Sequence, residues 1–297
     1  MHMRVLITGS TGLLGCALQT QAGADKQLYG IFHPARPLPR ALRASQQPAD
    51  VTSMPEMRRV FEWARPDVVI HAAAIGSVDF AEKHPAQTHA VNVGGTAVVA
   101  ECCKEFGARL IYISSNAVFD GTQPLYSETD PVSPINYYGR LKVEAEQVSA
   151  ASGVPHAIVR PILMYGWPYP EERGNLVTTW VKALREHQPQ SVVENVFSKP
   201  LPAQACADAV WAIVNRNLTG IYHVAGADHV SLHQFALAVA AAFALDPALI
   251  QAVPDSFFPQ LAPRPRDTSF NTTKMEKELG LHPVPLASGL QQMKAGA

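Results

Sequence analysis

The chain has 297 residues, 47% of them hydrophobic and 16% charged, with a formal net charge of −1. That apolar share argues against disorder, the balanced charge without a basic run argues against nucleic acid or a membrane surface as partner, and no run approaches the roughly 20 apolar residues a bilayer span needs. The cysteines Cys16, Cys102, Cys103 and Cys206 lack metal spacing and read as small buried hydrophobes in a reducing compartment; with a core strand at the very N-terminus, a cytoplasmic location is expected.

The first predicted strand is 5–8, and it leads into Gly9, Ser10, Thr11, Gly12, Leu13, Leu14 and Gly15 and then a helix over 12–22. Glycine permits positive φ and close backbone approach, and the amides of a following helix N-terminus can receive a pyrophosphate. The spacing is G-x-x-G-x-x-G, where the best-known dinucleotide fingerprint is G-x-G-x-x-G. A second strand over 28–32 is followed by no acidic residue between Lys26 and Ala49, but by His33, Arg36, Arg40 and Arg43. An NAD site usually places an acid on the ribose there, whereas an arginine fork suits a 2′-phosphate. NADP(H) is therefore favoured over NAD(H), with Arg36 first and His33 beside it. Asp50 and Val51 are placed to contact adenine. Strand 68–71 ends in the small run Ala72, Ala73 and Ala74, which lets a flat ring lie close to the sheet.

Helices are expected over 55–64, 87–106 and 136–151, and strands over 110–113 and 157–160. The strands are short and apolar without alternation, as in sheets covered on both faces. Alternating β and α predicts an α/β fold: a Rossmann-type doubly wound parallel sheet over 1–160. Prolines cluster beyond 160, with helical patterns from 175 to 186, from about 205 and from 231 to 243, a strand over 221–224 and a loop over 254–265. Residues 161–297 are expected to form a smaller substrate-binding region, some of whose segments rejoin the main sheet.

Tyr138 and Lys142 lie four apart in a helical pattern and share a face, which Tyr137 does not. A phenol ionises near pH 10, and a neighbouring ammonium favours the phenolate; lowering it by about 3 units takes roughly 4 kcal/mol. Ser114 and Ser115 follow strand 110–113, at the carboxyl end where open α/β sheets bind ligands, and a hydroxyl there can bond a carbonyl oxygen that gains charge.

The segments 8–15, 71–74, Val78-Asp79 with Ala81-Glu82, Asn92-Val93, 112–121 (YISSNAVFDG), 138–142 and Arg264-Pro265 resemble the extended short-chain dehydrogenase/reductases, in particular their dTDP-4-dehydrorhamnose reductase-like branch. A similarity to the regulatory beta subunit of methionine adenosyltransferase is carried by 33–37, YISS…VFDG and 263–266. The resemblance implies a catalytic set of Ser115, Tyr138 and Lys142, with Asn92 bracing the active-site helix, Asn92, Ile113, Tyr138 and Lys142 among the cofactor contacts, and Pro161 and Leu163 running past the nicotinamide. It also implies substrate contacts at Val78, Ser115, Asn116, Asn175 and Arg264. Where the branch's rhamnose-forming enzymes favour Thr-Asp-Tyr this chain has Ser115-Asn116-Ala117, and it has Leu163 in place of a tryptophan. The leading expectation is a reductase of a nucleotide-linked 4-keto-6-deoxy sugar. The alternatives are an epimerase or dehydratase of the same superfamily, although Asn116-Ala117 lacks a dehydratase's acid–base pair, and a non-catalytic cofactor-binding regulatory subunit. No metal is expected; His229 and His233 read as helix-surface histidines. A nucleotide sugar is the expected partner, and a homodimer the expected assembly.

Overall fold

The computed structural model describes residues 2–35, 42–123, 125–168, 174–259 and 262–296. The N-terminal part runs β1 (Met3–Thr8), α1 (Leu13–Gln21), β2 (Lys26–Phe32), β3 (Ser45–Pro48), α2 (Met54–Ala64), β4 (Val68–His71), α3 (Val78–Lys83), α4 (Pro85–His89), α5 (Gly95–Phe106), β5 (Arg109–Ile113), α6 (Tyr137–Ala151) and β6 (His156–Pro161). It continues through β7 (Met164–Tyr165), α7 (Leu176–Arg185), β8 (Gln190–Val193), β9 (Phe197–Ser198), β10 (Leu201–Pro202), α8 (Ala203–Asn215), β11 (Gly220–Val224), β12 (Val230–Ser231), α9 (Leu232–Phe243), β13 (Ile250–Val253) and α10 (Leu286–Ala295).

Seven strands make one parallel sheet in the order β11-β6-β5-β4-β1-β2-β3, the doubly wound α/β architecture the sequence predicts. Within each inner strand the apolar residues divide between two cores by the period of two. Val5, Ile7, Val68, Ile70, Ile111 and Ile113 face α1 and α8, whereas Leu6, Val69 and Leu110 face α2 and α5. Winding reverses between β1 and β4, so the turns after these two strands splay apart and open a crevice.

The structure departs from the sequence expectations in places. The span 87–106 is not one helix: a π-turn over Ala90–Gly94 separates α4 from α5. The extra residue re-aims Asn92, and a side chain at Gly95 would lie 2.9 Å from Val51. Strand β3, polar and ending in Pro48, carries no periodic signal; it exists as an edge paired to β2. Among its described residues, the loop expected over 254–265 contains a short 3-10 turn at Asp255–Phe257.

Beyond β6 the chain serves both bodies of the fold. Strand β11 extends the main sheet, and α8 lies on α1, where Trp211 Nε1 donates to the Leu18 carbonyl at 2.9 Å. A separate apolar cluster joins α7, α9 and α10 to the β8–β13 pair around Trp180, Phe235 and Leu290. Capping boxes at Asn175–Thr178 and Ser231–Gln234 start α7 and α9.

Helix α6 touches the sheet through Gly139, Leu141, Lys142, Ala145, Glu146 and Ser149, a buried stripe that includes an acid and a base. At Gly139 a Cβ would sit only 2.1 Å from the Ala117 carbonyl oxygen. Gly139→Ala is expected to cost about 1–3 kcal/mol by overpacking. A denaturant midpoint that falls at unchanged slope checks this.

Candidate active site

The crevice floor begins with the glycine turn. Gly9 has φ +67°, and a Cβ there would meet the Ala73 backbone at 2.9 Å; a Cβ on Gly15 would strike the Gly9 carbonyl. Both glycines are thus needed to bring β1, β4 and α1 together. Helix α1 begins after Gly12 with no side-chain cap, which leaves its first-turn amides and positive end for an anion such as a pyrophosphate. The turn's side chains look inward. The fully buried Ser10 hydroxyl lies 2.6 Å from Gln46 Oε1 on β3 and 3.0 Å from the Ile31 carbonyl. Gln19 in turn donates to the Ser10 carbonyl and accepts from Gln46. Thr11 and Leu14 are buried as well, and Leu13 half-buried, so this stretch can meet a ligand through backbone.

On the β4 side, Thr8 Oγ1 accepts from the Ala73 amide at 3.1 Å and lies 2.7 Å from His71 Nδ1; His71 Nε2 lies 3.1 Å from Thr96 Oγ1, which donates to the Asn92 carbonyl. Burial, with Lys142 nearby, pushes the His71 imidazole down to about 3, so the ring is neutral and the chain of bonds has one direction. Asn92 accepts from the Ile75 amide at 2.8 Å and donates to the Ile75 carbonyl at 3.1 Å. Its side chain therefore braces the loop after β4, while the π-turn that carries it packs against α6. Ala72 and Ala73 are half-buried and Ala74 exposed along that loop.

Helix α6 starts at Asn136, whose side chain accepts from the Gly139 amide, and it presents Tyr138 and Lys142 on one face. Lys142 is buried; its Nζ donates to the Ile113 carbonyl at 2.9 Å and to Tyr112 Oη at 3.3 Å, and lies 5.8 Å from the centre of the half-buried Tyr138 ring. Tyr137 takes the other face, under the Arg140 guanidinium. Burial lowers the Lys142 ammonium to about 8, and Glu146 pulls it back up. Burial raises the Tyr112 phenol well above its ordinary value, so it stays neutral.

The serine pair divides its work. Ser114 is buried and its hydroxyl donates to Glu146 Oε1, whereas Ser115 is half-buried and opens the turn after β5, accepting from the Ala117 amide at 3.1 Å. Asn116, expected near the sugar, donates to Thr268 Oγ1 at 2.5 Å. The missed residues are Glu146, Arg160 and His223, a buried polar cluster beneath this pair; no local spacing links their positions in the chain.

The remaining expected residues scatter. His33 is exposed and accepts from the Ala35 amide, and Arg36 and Arg40 lie outside the described residues. Arg43 turns away, donating to the Gly23 carbonyl at 2.8 Å. Asp50 Oδ1 accepts from the Thr52 amide and hydroxyl, and Val51 is buried against Gly95. Pro161 closes β6 and Leu163 touches both the sheet's core and the C-terminal cluster. Asn175 caps α7 and donates to the Gly166 carbonyl at 2.7 Å, which occupies the side chain expected at a diphosphate. Arg264 pairs with Asp79 at 2.9 Å, next to the half-buried Val78. His229 bonds Asp267 and stacks on Phe197.

A family model described as RmlD substrate binding domain matches residues 3–296. The chain belongs to this family. The RmlD family is a branch of the extended short-chain dehydrogenase/reductases, as the motifs imply. Among curated relatives, dTDP-4-dehydrorhamnose reductase of Salmonella typhimurium is 27% identical over 290 residues, covering 94% of this chain and 93% of the relative. Methionine adenosyltransferase 2 subunit beta of Mus musculus is 28% identical over 298 residues, covering 97% of this chain and 86% of the relative. A crystal structure of dTDP-4-dehydrorhamnose reductase from Bacillus anthracis in complex with NADP superimposes with a TM-score of 0.87 at 27% identity, covering 100% of both chains. UDP-glucose 4-epimerase of Thermotoga maritima shares the fold, with a TM-score of 0.85 at 19% identity over 98% of this chain and 97% of that one. No described helix is long and apolar enough to cross a membrane.

The buried ammonium carries a stability consequence. With its folded value near 8, below the unfolded value of about 10.4, the folded state bears an ionisation cost that is full below pH 8 and fades as pH rises to about 10.4. Lys142→Met is expected to melt several degrees above the wild type at pH 7. The gap should narrow as pH approaches about 10, which melting curves across that range check.

Proposed function

We propose that this RmlD-family chain is an NADP(H)-dependent reductase of a nucleotide-linked 4-keto-6-deoxy sugar. The observation that carries the reading is the buried Lys142 ammonium, held by the Ile113 carbonyl on the same helix face as Tyr138 and at the end of the strand that leads to Ser115. When bound, the reduced nicotinamide supplies the hydride. The uncapped start of α1 and the glycine turn fit its pyrophosphate, and the alanines after β4 admit a flat group. Ser115 donates its hydroxyl proton in a hydrogen bond to the keto oxygen. Tyr138 gives its phenolic proton to the alkoxide, and Lys142 stabilises the phenolate that remains. Residues 161–297, with their separate apolar cluster, are assigned to the sugar nucleotide, and Arg264 leaves Asp79 for a phosphate.

NADP over NAD rests on the acid-free, arginine-bearing segment after β2 and on the NADP complex of the Bacillus anthracis relative. A second reading, a dinucleotide-binding regulatory subunit, is favoured by the adenosyltransferase relatives. Stoichiometric NADPH consumption with a dTDP-4-keto-6-deoxy sugar decides between them. Tyr138→Phe should lower kcat by about 10²- to 10⁴-fold while NADPH affinity stays within a few-fold; retention of half the activity would remove the proton-donor role given to Tyr138. Arg36→Glu should weaken NADPH about tenfold or more relative to NADH by loss of the guanidinium fork. Unchanged discrimination would withdraw the NADP preference.

A further inference from the structure

Tyr138, Lys142 and Glu146 succeed one another at intervals of four along α6, and so line one stripe of the helix. Tyr138 is half-buried, and Lys142 and Glu146 are buried. Glu146 Oε1 accepts from the Ser114 hydroxyl and from Arg160 Nε at 2.9 Å, and Oε2 accepts from Arg160 Nη2 at 2.7 Å. The two side chains of this ion pair are 8% and 3% exposed. Arg160 Nη1 lies 3.3 Å from His223 Nε2, whose Nδ1 lies 3.0 Å from the Tyr126 carbonyl; the neutral ring thus accepts from arginine and donates to backbone. One carboxylate therefore ties α6 to the ends of β5 and β6, and through Arg160 to β11.

An ion pair this deep seldom stabilises a fold more than apolar side chains of the same volume, and in some proteins such a pair serves to select one arrangement. Here the arrangement selected is the axial and rotational setting of α6 against the residue before Ser115. We propose that Glu146 is a positioning residue for the Ser115–Tyr138–Lys142 site, acting through Ser114 and Arg160 to hold the phenol and ammonium in register with the Ser115 hydroxyl. The kinetic part of this inference rests on the reductase reading; the geometric part does not. The groups facing the Tyr138–Lys142 pair are Glu146 from α6, Tyr112 from β5 and His71 from β4, with Glu82 of α3 accepting the Tyr137 amide.

The test is a double variant, Glu146→Leu with Arg160→Met, which removes both charges and leaves neither buried alone. Glu146→Asp serves as the conservative partner. Ionisation of Tyr138 is read by ultraviolet titration of the full chain, as a difference against the same protein carrying Tyr138→Phe. The double variant is expected to melt no lower than the wild type, with Tyr138 ionising about 0.5 pH unit or more higher because the ammonium is no longer held against it. With NADPH and keto sugar nucleotide, its kcat should fall about 10- to 100-fold at near-constant NADPH affinity, with partial recovery in the Glu146→Asp protein. An unchanged Tyr138 titration in a folded double variant overturns the proposal whatever the kinetics show. If the double variant does not fold, the Tyr138 titration of Glu146→Gln, which removes the carboxylate charge at the same volume, decides in the same way. A wild type that never consumes NADPH removes the reductase reading and leaves the titration to judge the positioning role.

Discussion

An ammonium taken out of water must be given acceptors, and much of this site follows from how Lys142 finds them. The Ile113 carbonyl is one, at the last residue of β5. That bond fixes which face of α6 turns to the sheet, and therefore where Tyr138 stands. Close approach of the helix requires a residue without a side chain at 139, and the backbone turn opened by Ser115 lies directly against it. The remaining direction of freedom, sliding along the helix axis, is restrained one turn further on by Glu146.

Much of this was legible because the relevant signals are local. Strands covered on both faces read as unbroken apolar runs, the glycine turn stands between the first strand and its helix, and Tyr138 and Lys142 sit one helical turn apart. Glu146 is equally close in sequence, but its meaning depends on Arg160 and His223, and no periodicity brings an arginine at a strand end to a carboxylate on a helix. Strand β3 escaped notice because Ser45-Gln46-Gln47-Pro48 has neither alternation nor β-branched residues; its place is set by pairing with β2 and by the Gln46 bonds to Ser10 and Gln19. The π-turn was hidden for a related reason, since the apolar pattern across it is helical throughout.

Residues whose roles came from family likeness show a different pattern. Asn116, Asn175 and Arg264 are each engaged with protein partners: a threonine hydroxyl, a helix start and an aspartate. Binding a nucleotide sugar through them means exchanging those bonds for ligand ones, so affinity is the difference between two sets of polar contacts. The glycine turn and the α1 amides ask for no such exchange. On the proposed function the two sides thus differ in readiness, with the glycine-turn side pre-formed and the Asn116, Asn175 and Arg264 side held by bonds that must open.

The packing of α8 on α1 bears on how the molecule comes into being. The apolar face of the helix behind the phosphate turn is covered by residues some 190 positions later, with Trp211 bonded to the carbonyl of Leu18. A nascent chain leaving the ribosome therefore cannot complete its N-terminal half when that half has been synthesised. Until α8 and β11 emerge, the sheet has a bare edge and α1 an uncovered flank, surfaces that invite association with other chains. Cotranslational folding of this protein is thus a late event, and genetic fragments ending near residue 160 should be poor building blocks for chimeras or split reporters.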